Sequence, residues 1–197
     1  MNFQQFKQNR YQSIPYDFPH NMFGFKQTNG SDISAHLPLL EFVARQCNTV
    51  TEFGTRECYS TVALLAGCKE KVTSYDINTY SDILELKHLD LPCEWEFIQQ
   101  DTSEENFKIN QTDFLFIDSL HTYNQVKSEL RQAKYVNKYI GFHDVYSHGQ
   151  KSLDIPGEMG IIPAINEFLR ENQEWVIVYE VIFNHGLLII ERKTCQQ

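Results

Sequence analysis

Residues Thr49 to Thr61 read TVTEFGTRECYST, with the β-prone Val50, Thr51 and Phe53 set immediately before Gly54. That order suits a buried strand entering a tight turn. Beyond the turn, Ser60 is placed to cap a helix through Ala66, and Gly67 to end it. Strand, glycine turn and helix N-terminus in succession make an anion-binding cradle in an open α/β sheet. Glu52, just ahead of the turn, is expected close to whatever binds there. The same unit then recurs. Lys71–Asp76 (KVTSYD) reads as a second strand, a polar helix follows around Ser81–His88, and Trp95–Ile98 gives a third strand closed by Gln99, Gln100 and Asp101. Asp113–Asp118 (DFLFID) is an apolar run of the fully buried parallel type. Val126, Leu130 and Ala133 mark a long helix, and Tyr139–Asp144 (YIGFHD) a fifth strand. Such alternation predicts a doubly wound, mostly parallel α/β sheet covered on both faces.

The two ends of the chain depart from that pattern. Met1–Gly30 is polar and aromatic, broken by Pro15, Pro19, Gly24 and Gly30, and reads as an irregular arm over a site or over a partner in a homo-oligomer. Ser31 or Ser34 is expected to cap a helix through Gln46. Near the C-terminus Pro163 opens a helix, and Trp175–Ile182 and Leu187–Ile190 read as strands around the turn Asn184–His185–Gly186, an antiparallel hairpin. No linker divides residues 31–197, which are expected to form one domain.

Composition narrows the function classes. A formal charge of −9 over 197 residues argues against nucleic acid or an anionic membrane as partner. No apolar run has the length of a membrane span, and MNFQQFKQNR lacks a signal-peptide core. Five cysteines without CxxC spacing favour reduced thiols, hence a cytoplasmic protein.

A dinucleotide fingerprint needs glycines at fixed spacing. Here Arg56 and Cys58 stand where further glycines would be, which tells against NAD and an oxidoreductase. The cofactor side is expected to use Glu52, Gly54, Thr55, Arg56 and Ser60 around the turn, Asp76 at the second strand end, and Asp101 with Thr102 at the third. Asp76 follows the turn by about twenty residues, the spacing of an acid that accepts ribose hydroxyls. Asp118 and Asp144 end the fourth and fifth strands, so both carboxylates face one crevice. They would repel unless a cation or proton lies between them, and such oxygen ligands suit Mg²⁺. His121 and His143 have the pKa of a general base, with His143 favoured because it adjoins Asp144. Asp76 or Asp101 taken alone is more often a helix cap or a solvated loop charge, and the bland reading of the others has Asp118 and Asp144 as loop caps and His121 as a helix-start residue. Tyr123 and Lys127 mimic a Tyr-x-x-x-Lys dehydrogenase pair without its glycine-rich partner. Finally, Tyr146–Gly160 is long and polar for a connector and reads as a mobile flap, with His148 and Glu158 the residues to touch substrate.

The TVTEFG segment resembles motif I of the class I S-adenosylmethionine-dependent methyltransferases. FIDSLHTYNQV (Phe116–Val126) paired with GFHDV (Gly141–Val145) resembles the branch that includes macrolide-sugar O-methyltransferases and cephalosporin-biosynthesis relatives. Ser119 stands where that branch commonly has glycine, and His143 where several macrolide relatives carry an acid. The resemblance implies a Rossmann-like sheet of seven strands, S-adenosylmethionine as cofactor, and Asp101 at the adenine amine. It also implies Asp118, His143 and Asp144 as metal ligands, Asp118 as a catalytic and cofactor-side residue, and a small hydroxylated substrate such as a sugar. Two other readings fit the same residues: a metal-independent methyltransferase with His121 or His143 as base, or a cofactor-binding module without turnover.

Overall fold

The computed structural model describes residues 1–12 and 31–193. Seven strands form one sheet: β1 (Thr49–Phe53), β2 (Lys71–Asp76), β3 (Glu94–Gln99), β4 (Thr112–Ile117), β5 (Val136–His143), β6 (Trp175–Val181) and β7 (Leu187–Arg192). Their order is β3-β2-β1-β4-β5-β7-β6. The first five are mutually parallel, and β7 runs antiparallel to both β5 and β6. The doubly wound sheet with its C-terminal hairpin is therefore as the sequence predicts. At the hairpin turn Asn184, His185 and Gly186 all take positive φ, at 46°, 69° and 91°.

Strand alternation divides the core in two. Phe114 and Phe116 of β4 and Leu187 and Ile189 of β7 pack on one face, while Leu115, Ile117, Leu188 and Ile190 pack on the other. The first face is covered by α2 (Leu37–Ala44), α3 (Tyr59–Gly67) and α4 (Ser81–Leu86), the second by α5 (Tyr123–Glu129) and α6 (Ile162–Glu171). Because β1 lies between β2 and β4, the chain leaves it in both directions. The crevice at this reversal of strand order is where open α/β sheets bind ligands.

Several local expectations are corrected. The N-terminal arm is not irregular throughout: Phe3–Tyr11 is a helix, α1, with a capping box in which Asn2 and Gln5 exchange side-chain bonds. Phe3 and Phe6 are buried against the core, and the Tyr11 hydroxyl and Lys7 ammonium both reach Glu41 of α2. The signal was the Asn2-x-x-Gln5 box with Phe3 and Phe6 three apart, submerged in a window broken by later prolines and glycines. The remainder of the arm, 13–30, lies outside the described residues. Neither Ser31 nor Ser34 caps α2; a 3-10 turn at Ser34–His36 precedes it, and Pro38 sits in its first turn. The long helix expected around Val126 is α5 followed by a 3-10 segment, Leu130–Tyr135.

Candidate functional site

The C-terminal ends of β1, β2, β4 and β5 meet at one edge of the sheet. Gly54 leaves β1 at φ +87°, and a Cβ there would lie 2.0 Å from the Asp118 carbonyl oxygen. Only glycine allows this turn to pass so close to the end of β4. The Asp76 carboxylate holds the turn: its Oδ2 accepts the N–H groups of Thr55 at 2.9 Å and Arg56 at 3.0 Å, and its Oδ1 accepts that of Asn78 at 2.8 Å. These bonds support a turn in which Arg56 and Cys58 adopt φ of 42° and 62°, conformations in which glycine would be unstrained. Roughly three of the carboxylate's four lone-pair positions are thus engaged. Asp76, Asp101, Thr102, Asp118 and His121 border a cavity of about 420 Å³.

The other residues expected on the cofactor side divide. Thr55 and Ser60 adjoin a smaller crevice beside the turn, together with Arg56 and Asp32, whose charged groups are 3.5 Å apart. Asp101 accepts both the N–H and the hydroxyl of Ser103. Thr102 donates its hydroxyl to the buried Glu129, which also takes bonds from Ser119 and Gln125. Glu52 departs from expectation. It is wholly buried and does not border the cavity. Its carboxylate points into the first core face, accepting hydroxyls from Ser60 at 2.6 Å, Thr61 at 2.8 Å and Ser74 at 2.6 Å. Burial pushes its pKa up from 4.5 to about 7 against the pull of those donors. Ser60 accordingly binds Glu52 instead of capping α3, whose N-cap is Cys58.

At the ends of β4 and β5, two carboxylates and two imidazoles interlock. His143 Nδ1 lies 3.3 Å from Asp118 Oδ1 and 3.0 Å from Asp144 Oδ2. His121 Nε2 lies 3.4 Å from the same Asp118 oxygen and 2.9 Å from the same Asp144 oxygen. Burial acts to raise both acids, yet the two rings hold Asp118 and Asp144 far below the usual carboxylate range. Reciprocally, burial acts to lower both rings, and the carboxylates bring His121 to about 11 and His143 to about 10. Asp144 sits at φ 60°, a strained conformation for a non-glycine residue. His185 adds Nδ1 at 3.4 Å from the other Asp144 oxygen. His36 packs edge-on against His143, and its pKa is lowered to about 4 by burial and then by the His143 charge.

Residues 51–145 match a family model described as a methyltransferase domain. No curated protein sequence matches the chain. Among solved structures, the N-methyltransferase NodS from Bradyrhizobium japonicum WM9 is similar with a TM-score of 0.59 and 14% identity, over 81% of this chain and 94% of that one. The O-methyltransferase from Bacillus cereus, solved in complex with SAH, is 17% identical over 97% of this chain and 89% of its own, with a TM-score of 0.59. Residues 51–145 thus match a methyltransferase domain, and the chain shares the fold of these methyltransferases. The MycE methyltransferase of the mycinamycin biosynthetic pathway, solved with Mg, SAH and mycinamycin VI, has a TM-score of 0.58 and 14% identity. This chain is matched in full but spans 55% of MycE. At such identities these structures share the fold of the methyltransferase domain, and its acceptor must be argued from its own site.

In that domain Asp118, His143 and Asp144 each bring a ligand atom within 4.8 Å of the others. Two carboxylates sharing two imidazoles fit a divalent cation, because a cation can replace the ring protons that otherwise neutralise the acids. The two histidines expected as candidate bases differ in exposure. The His143 ring is completely buried, whereas His121 borders the cavity. Sequence reasoning also missed Glu129, His36 and Asp154. The pattern at Asp154 (SLDIP) has no periodicity to mark it, and His36 (SAHLPLL) signals itself only as a polar residue leading into an apolar run. No helix among the described residues is long and apolar enough to cross a membrane.

Proposed function

We propose that the chain transfers the methyl group of S-adenosylmethionine to a hydroxyl of a small polar molecule such as a sugar, assisted by Mg²⁺ or a similar divalent cation. The observation that carries this reading is the convergence of Asp118 and Asp144 on His121 at the border of the cavity that Asp76 also lines. The sulfonium donor is already activated, so the protein must orient an oxygen in line with the methyl group and remove its proton. Asp76 is assigned to the ribose, Asp101 to the adenine amine, and Gly54, Thr55 and Arg56 to the turn beneath them. A divalent cation held by Asp118, Asp144 and His143 would lower the pKa of a hydroxyl bound beside it. His121 Nε2 faces the two carboxylates, and with a cation in place of the ring proton it would be free to receive the proton of the acceptor. The Mg and mycinamycin VI bound to MycE support a metal-assisted sugar O-methylation. The charge of −9 favours a small neutral acceptor over a polyanion, and the unpaired Cys47, Cys58, Cys68 and Cys93 are in keeping with the reducing cytoplasm.

Calorimetry with S-adenosylmethionine and with NAD, followed by methylation assays on a panel of vicinal-diol sugars with Mg²⁺ or with EDTA, tests the reading. We expect binding of the first cofactor only, and turnover that EDTA removes. Binding of NAD in its place would overturn the assignment. A second reading is a metal-independent reaction with a neutral His121 alone as base; undiminished turnover in EDTA would establish it.

A further inference from the structure

We propose that Asp154 is a positioning residue for His121, fixing its ring with Nδ1 bound to the Tyr146–Gly160 segment and Nε2 aimed at Asp118 and Asp144. This rests on the reading of His121 as the proton-accepting group. The backbone N–H and ring Nδ1 of His121 lie 3.0 Å and 2.8 Å from one oxygen, Asp154 Oδ2. The opposite ring nitrogen lies 2.9 Å from Asp144 Oδ2. An imidazole whose Nδ1–H is donated to a carboxylate has its ring plane set, and Nε2 is left to face the chemistry.

Asp154 is itself firmly seated. Its N–H and that of Ile155 both donate to Ser152 Oγ at 3.2 Å, and Ser152 is buried, with its own N–H bonded to the Glu158 carbonyl. Lys151 and Met159 pair as an isolated antiparallel bridge, and the Tyr123 N–H donates to the Met159 carbonyl at 2.9 Å. The segment is therefore a closed excursion fastened to the chain next to His121. His148 of the same segment packs on the His121 ring, centroids 4.4 Å apart, with its Nδ1 accepting the Leu153 N–H. Of the two residues expected to touch substrate from this segment, His148 meets the candidate base, and Glu158 serves the excursion through its carbonyl. A loop with no role would give Asp154 no reason to take up the ring nitrogen as well as the backbone N–H. As built, the position of the segment and the orientation of the ring are a single event, and departure of the segment frees the ring.

The test uses the full chain with ¹⁵N-labelled histidine, with His121→Gln assigning the resonance. A downfield, slowly exchanging Nδ1–H signal from His121 is expected in the wild type, absent in Asp154→Ala, and restored in Asp154→Asn, whose amide oxygen can accept the same bond. Tryptic cleavage after the exposed Lys151 should be about 10- to 100-fold faster in Asp154→Ala, the effect of losing a charge-assisted hydrogen bond on local opening. A signal that persists in Asp154→Ala, or cleavage that is unchanged, overturns the proposal. Failure of the wild type to bind S-adenosylmethionine would sink the functional reading instead, and leave the Nδ1–H signal where it is.

Discussion

Replacing Glu52 by Gln should remove a pH dependence that the fold imposes on itself. This carboxyl is completely buried, and burial raises its pKa from 4.5 to about 7 despite three hydroxyl donors. A raised carboxyl pKa means that the folded chain holds a proton the unfolded chain has already lost. Stability therefore falls as pH rises from 4.5 to 7 and levels off above that window. At about 1.4 kcal/mol for each pH unit across the window, the loss comes to about 3 kcal/mol. Glutamine keeps the shape, and the hydroxyls of Ser60, Thr61 and Ser74 can reorient to donate to its oxygen and accept from its nitrogen. Urea denaturation of both proteins across pH 4 to 8 gives the assay, and the difference between the two profiles cancels other groups that titrate in the window. The expected difference is flat below pH 4.5, climbs in favour of the variant by about 3 kcal/mol, and is flat again above pH 7. A difference profile with no slope between those limits would refute the reasoning, because it would mean that Glu52 stays ionised on burial.

Asp118→Asn should retain S-adenosylmethionine binding by calorimetry yet lose turnover, with EDTA abolishing wild-type activity and Mg²⁺ restoring it. Gly54→Ala should destabilise the fold by about 2–5 kcal/mol in denaturant titrations, combining left-handed strain with overpacking against the Asp118 carbonyl. A change below about 0.5 kcal/mol, within the range of ordinary surface substitutions, would show that the turn does not need glycine. Asp76→Ala should weaken cofactor binding by about 1.5–3 kcal/mol in the same calorimetry, and unchanged affinity in a folded variant would remove Asp76 from the ribose.

The strands were legible because their signals are local. Lys71–Asp76 is β2 as read, and the alternation of apolar runs with helical periods carries the parallel sheet and its antiparallel tail. Placing acids at strand ends was equally local: once DFLFID and YIGFHD are strands of one parallel sheet, Asp118 and Asp144 must emerge at the same edge. What sequence could not give is the direction in which a side chain finds its partner. Glu52 looked like a ligand contact, but its alternation on β1 turns it toward hydroxyls of α3 and β2. His143 adjoins Asp144 in the chain, and the pairing of β5 with β7 together with packing against His36 seals it from the cavity. His121 gains its place there from a carboxylate 33 residues further along. Sequence thus determined the class of fold, the edge at which chemistry gathers and the residue types available to it. Tertiary structure decided which of those residues meet the cavity, because burial, hydrogen-bond partners and ring orientation depend on contacts between segments distant in the chain, and such contacts leave no periodic trace in the sequence.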